Sequence, residues 1–174
     1  MGKWDARPHR SRFWSAALPV LILAACSADP GSPEAQVRAL ISRAESAAEN
    51  KDIGRLKRLI SERYSDERGQ DRQAVAGLLS YYFLRHQTIH LFTRIQTVEF
   101  SDPEHANRES ADPGSARASV LVAMAGTPML VVDDLARLRA DLYRFDFELV
   151  REDDGEWRVA RAAWSRATRG DFLP

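Results

Sequence analysis

The apolar residues of this 174-residue chain change their spacing once, near Thr88, and that change limits the fold more than any other feature. Before it they recur every three or four positions, as on one face of a helix. After it they alternate, as on one face of a strand. Helices followed by a run of strands argue an α+β domain whose strands meander antiparallel, not a chain of alternating units around a parallel sheet.

The helical block divides into three. Ser32 as a cap, with Pro33 at the first position, opens a helix over 34–50 with Val37, Leu40, Ile41, Ala44 and Ala48 in its stripe. Asp52 caps a second, bearing Ile53, Leu56, Leu59 and Ile60. A third opens near Asp71 and carries Val75, Leu78, Leu79, Tyr82 and Phe83. Asn50-Lys51 and the segment 64–70 are the joints, where Gly69 supplies a backbone turn.

In the strand block Ile89, Leu91, Thr93 and Ile95 alternate, and Val98 and Phe100 continue on the opposite phase. Such a slip marks a bulge. Residues 101–114 read as a loop, 117–125 as a second strand, and 129–138 as a loop or short helix. The plainest strand covers 139–151. Tyr143, Phe145, Phe147 and Leu149 share one face, and Arg144, Asp146 and Glu148 the other. Asp154-Gly155 predicts a hairpin turn into a last strand over 156–167 with Trp157, Val159 and Trp164. The rings are expected beneath the helices, leaving the acids wet.

The N-terminus reads as a leader. Lys3, Arg7, Arg10 and Arg12 form a positive segment, and 13–25 an apolar one, too short for the roughly 20 residues of a spanning helix. The run Leu23-Ala24-Ala25-Cys26 holds the only cysteine and resembles the lipobox of bacterial lipoproteins. The resemblance implies a signal peptide over 1–25, cleavage before Cys26, and lipid (palmitate among its acyl chains) on that sulfur. Ser27, where an Asp would resemble an inner-membrane retention signal, implies the outer membrane with the domain facing the periplasm. Asp29 keeps the inner membrane open. A plain leader cut after Ala25 and a retained anchor are the other readings. Residues 26–33, with two prolines and a glycine, form the lipidated cysteine and a tether.

The whole chain balances 25 basic against 25 acidic residues; without Lys3, Arg7, Arg10, Arg12 and Asp5 the balance is 21 against 24, about −3. That charge excludes a nucleic-acid binder, which needs a basic patch or a high pI. With one cysteine no disulfide forms within the chain, so stability rests on packing.

Two strings carry a resemblance over residues 34–167. NKDIGRLKRLISERYSDERGQDRQAVAGLL and YRFDFELVREDDGEWRVARAAW resemble the entry and the last hairpin of the nuclear transport factor 2-like superfamily, the SnoaL-like and cystatin-like cone. The resemblance implies N-terminal helices packed on a strongly curved antiparallel sheet, a cone-shaped α+β barrel. Residues 168–174 would then be a C-terminal tail. The superfamily spans isomerases, dehydratases, cyclases and non-enzymatic binders, so fold alone does not choose.

Candidate chemistry is sparse. Asp66 is a candidate base and Tyr64 a candidate oxyanion donor, against a duller role in turn and packing. His86 and His90 are four apart, but the helix-to-strand change between them breaks the shared face, so no metal site is read there. His90 stands as a lone acid–base candidate. Asp146 and Glu148 share a strand face and read as solvated, as do Asp133-Asp134 and 152–154. Tyr82, Phe145 and Trp157 are candidate ligand contacts in an apolar cavity. No cofactor is expected. The expected function is a periplasm-facing lipoprotein, leaning away from enzyme, that binds a small apolar ligand or an envelope protein, with homodimerisation through the sheet face or a place in an envelope machine also open. The alternative is an acid–base enzyme (isomerase-, dehydratase- or cyclase-like) using Asp66 and Tyr64.

Overall fold

A computed structural model describes residues 29, 31–101, 114–129, 131, 133 and 140–173. The leader, Cys26, most of the tether, the loop residues 102–113, and most of 129–138 with Asp134 lie outside the described residues.

Three helices, α1 (Pro33–Glu49), α2 (Ile53–Arg58) and α3 (Arg72–Arg85), precede four strands, β1 (His90–Phe100), β2 (Ser115–Ala125), β3 (Asp141–Arg151) and β4 (Trp157–Arg166). Each helix starts where a short polar side chain accepts an otherwise unpaired N–H. Ala35 N donates to Ser32 Oγ (3.2 Å), Arg55 N to Asp52 Oδ1 (2.8 Å) and Ala74 N to Asp71 Oδ1 (2.8 Å), each cap stabilising by about 1 kcal/mol. After α1, Lys51 takes a left-handed φ of 54° and its N–H closes on Ala48 O. Its ammonium then reaches the carbonyls of His86 and Gln87 just past α3.

The strands form one antiparallel meander in the order β1-β2-β3-β4. The register slips between Ile95 and Thr97, where the apolar phase changes. A second slip sets Glu148 opposite Arg161 but Leu149 opposite Val159, leaving Ala160 over. Bulges bend a sheet and raise its twist. The β3–β4 turn runs through Gly155 at φ 80°, with Gly155 N donating to Glu152 O (2.8 Å).

The sheet's inner face carries the core. Val37, Leu40 and Ile41 of α1 pack on Ala116, Ala118, Val120 and Val122 of β2, with Leu149 and Trp157. Phe145 and Phe147 join from the same side, while Asp146 and Glu148 are exposed. Glu148 stands 3.7 Å from Arg161 and 3.9 Å from Arg117. The rings thus turn under the helical layer and the acids stay wet.

Two features differ from expectation. Leu78 of α3, expected in a buried stripe, is exposed, as are Tyr81 and Leu84. The helix buries only Ala76 and Phe83, and Phe83 meets Ala47, Leu56 and Ile89. And the domain does not stop at Ala167. A 3-10 turn at Arg169–Phe172 folds back on the sheet's outer face and buries Phe172 completely beside Leu121, Ala123, Met129 and Leu142. Leu121 and Leu142 point away from the helices because side chains alternate along a strand. They need a second apolar cover, and Phe172 supplies it.

Candidate functional site

One side chain meets the edge of β1 and a backbone segment covers the edge of β4, and this bears on several candidates. On β1, Leu91 N donates to Glu49 Oε1 (2.9 Å). On β4, the 59–65 segment runs alongside: Val159 N donates to Leu59 O (2.9 Å), Ser61 N to Val159 O (2.9 Å), and Ser65 N to the bulge carbonyl of Ala160 (3.2 Å). Tyr64, 4% exposed, is buried beside this cover, with the Ala162 backbone near its hydroxyl. Burial, and then the nearby Asp66 carboxylate, push its phenol above the ordinary value.

Asp66 is 6% exposed. Its Oδ1 accepts from Arg68 N (2.8 Å) and Gln70 N (2.9 Å), and its carbonyl from Gly69 N (3.0 Å), which builds the turn into α3. Gly69, at φ 71°, sits in the left-handed region this turn requires. Asp66 Oδ2 is buried and has no partner, as is Gln70 Oε1. Tyr64 and Asp66 are therefore close neighbours, as the sequence implies. Asp66 spends one carboxylate oxygen on holding backbone.

The other candidates separate. His90 pairs across the sheet with Ala125, in register with the outer-face residues Phe92 and Ala123. His86 follows α3 as its C-cap and stacks on Tyr82, centroids 4.2 Å apart. Among the described residues no three His, Cys, Asp or Glu side chains gather to hold a metal ion. Trp157, 2% exposed, donates its indole N–H to Gln36 Oε1 (3.2 Å) and meets Phe100 edge-on at 5.9 Å. It is a wall of the core and offers the cone interior no free ring face.

Phe145 stands in a row of aromatic rings. On the inner face it stacks between Phe147 (5.7 Å) and Trp164 (6.4 Å), with Tyr143 at 6.2 Å. All four rings are half-buried. Tyr82 approaches this row from α3. Burial first, then Asp141 and Tyr143, raise its phenol above the ordinary value. Two cations rim the row: Arg68 lies 5.2 Å over the Trp164 ring, and Arg166 lies 4.8 Å over Tyr143 while bonding Asp141 at 2.7 Å.

Glu45 was not among the sequence candidates. It sits four residues after Ile41 and eight after Val37, on the apolar stripe of α1, so the helical step carries its carboxylate toward the sheet. There Thr93, on the inner face of β1, donates its hydroxyl to Glu45 Oε2 (2.9 Å). Burial, with a smaller push from Glu49, raises the Glu45 carboxyl above the ordinary 4.5, and the Thr93 bonds oppose it. A carboxyl in the apolar stripe is the signal that marks it in the sequence.

No family model matches the sequence, and no curated protein sequence matches it significantly. Solved structures do match. A protein from Xanthomonas campestris named as a calcium/calmodulin dependent protein kinase II association domain is 15% identical, with a TM-score of 0.56 over 83% of this chain and 93% of that one. A domain of unknown function with a cystatin-like fold from Nostoc punctiforme is 17% identical, with a TM-score of 0.54 over 80% and 82%. A ketosteroid isomerase-like protein from Erwinia carotovora atroseptica is 14% identical, with a TM-score of 0.52 over 77% and 95%. The chain spans only 40% of the length of Bdellovibrio bacteriovorus Bd1075, which it also matches. At these identities the likeness is one of fold. The likeness, with helices on the inner face of an antiparallel meander, gives this chain an α+β fold of the nuclear transport factor 2-like, cystatin-like kind.

Proposed function

We propose that this chain is a lipid-anchored domain of a bacterial cell envelope, tethered through Cys26 and facing the periplasm, which binds a small apolar ligand in its cone without transforming it. The observation that carries the binding role is the half-buried ring row of Tyr143, Phe145, Phe147 and Trp164 on the inner face. Aromatic faces held by a rigid sheet give large apolar contact at little entropic cost. The non-enzymatic reading is supported by the commitment of Asp66 Oδ1 to backbone and the burial of Tyr64. The tether is supported by the leader and the position of the single cysteine.

Native mass spectrometry of the protein purified from its own membrane tests the ligand. A retained small molecule, lost on Phe145→Ala, is expected. An unliganded dimer would favour assembly through the sheet face instead. For the anchor, Cys26→Ser should release the protein from membranes and abolish labelling by palmitate.

A second reading, an acid–base enzyme, is favoured by one observation: the proton affinity of Glu45 is raised inside the cone, and Asp66 keeps one buried oxygen free. Under it, the retained molecule would be slowly isomerised or dehydrated by the wild type, and Glu45→Gln or Asp66→Asn would stop the conversion while leaving binding intact.

A further inference from the structure

A cleft of about 520 Å³ opens on the outside of the cone, apart from the ring row. Its walls come from two stretches distant in sequence. The second half of α1 contributes Ser42, Arg43 and Ser46, α2 contributes Arg55 and Arg58, and the β3–β4 turn and start of β4 contribute Glu156 and Arg158. Leu59, half-buried, adds apolar surface, and the buried Trp157 backs the cleft.

The charge of this cleft opposes that of the domain. Four arginines stand against one glutamate, in a polypeptide whose balance without its leader is 21 basic to 24 acidic. Two of the four are engaged. Arg158 is held by Glu152 and Asp154, and its Nε donates to Arg58 O (3.3 Å). Arg43 reaches Glu156 Oε2 only at 3.3 and 3.4 Å. Among the described residues no carboxylate pairs with Arg55 or Arg58, and both are exposed. Three residues apart on α2, they share one side of the helix.

We propose that this cleft is a binding site for a phosphate group carried on a small organic body. Guanidinium forks match phosphate oxygens, and a phosphate has enough acceptor positions to engage Arg43, Arg55 and Arg58 together with a serine hydroxyl. The Leu59 surface suits the organic part. Binding displaces the long Arg43–Glu156 contact and leaves the tight Arg158 pairs in place. The site shares no lining residue with the ring row.

Isothermal titration of the full chain in a non-ionic detergent tests it, with phenyl phosphate as a soluble phosphomonoester and dihexanoyl phosphatidylglycerol as a lipid phosphate. At least one should bind, with affinity falling as sodium chloride rises. Arg55→Ala/Arg58→Ala should weaken binding tenfold or more at an unchanged melting temperature, and the charge-matched Arg117→Ala/Arg161→Ala on the outer sheet face should not. Tighter binding of phenyl phosphate assigns a soluble ligand, and tighter binding of the phosphatidylglycerol a lipid headgroup. Binding of neither, or equal loss in both double variants, overturns the proposal.

Discussion

Thr93 donates its hydroxyl to the Glu45 carboxylate across 2.9 Å, joining residues 48 positions apart in sequence inside the cone. The bond holds an acid where the helix stripe otherwise buries carbon, and its pH behaviour follows. Glu45 has a raised pKa in the fold, so the native state holds its proton more tightly than the unfolded chain. Its contribution to stability is full below the ordinary value of 4.5 and is lost as pH rises through the folded value. Melting temperatures from pH 4 to 8 should show wild type falling relative to Glu45→Gln across that window. A constant gap between the two proteins would reject the raised value. Glu49→Gln should move the Glu45 titration down, read by carboxyl carbon NMR.

Phe172 closes the outer face, with its carbonyl accepting from Arg94 Nη1 at 2.6 Å and its ring 6.5 Å from Phe92. Phe172→Ala should cost about 3–5 kcal/mol in urea unfolding, the usual range for a buried phenylalanine. A loss under about 1 kcal/mol would mean the turn is not docked in solution.

Asp66→Ala removes the acceptor for two turn N–H groups and should destabilise by about 1–3 kcal/mol. Asp66→Asn keeps an Oδ1 acceptor and should unfold near wild type. If the asparagine variant is as unstable as the alanine variant, the turn bonds are not what Asp66 contributes.

Glu49 Oε1 blunts the outer edge of β1 by accepting from Leu91 N. Glu49→Ala should cost about 1 kcal/mol and expose an edge that pairs with other chains. Sedimentation velocity should then detect concentration-dependent association absent from wild type. A variant that stays monodisperse would show the edge protected by other means.

Much of the fold is legible in the chain because its signals are local. Ser32, Asp52 and Asp71 announce their helices through bonds spanning three residues, and the phase slip after Ile95 announces the bulge. The alternation of Tyr143, Phe145 and Phe147 with Arg144, Asp146 and Glu148 assigns the two sheet faces. The site is less legible. Tyr64 and Asp66 are both buried, and the hydrogen bonds of Asp66 serve the turn into α3. Leu78 lies on a helix with apolar residues on several sides, where periodicity cannot say which side is covered.

Element order, strand count and the inward turn of the rings follow from spacing, capping and turn chemistry, which act over a few residues and survive in any fold the chain adopts. Tertiary structure alone set Glu45 against Thr93, Phe172 against Arg94, and arginines from positions 43, 55, 58 and 158 around one cleft. Those meetings depend on how α1 crosses the sheet, where the bulges bend it and how the last turn folds back. They arise from the packing of distant segments, and no short stretch of the chain contains them.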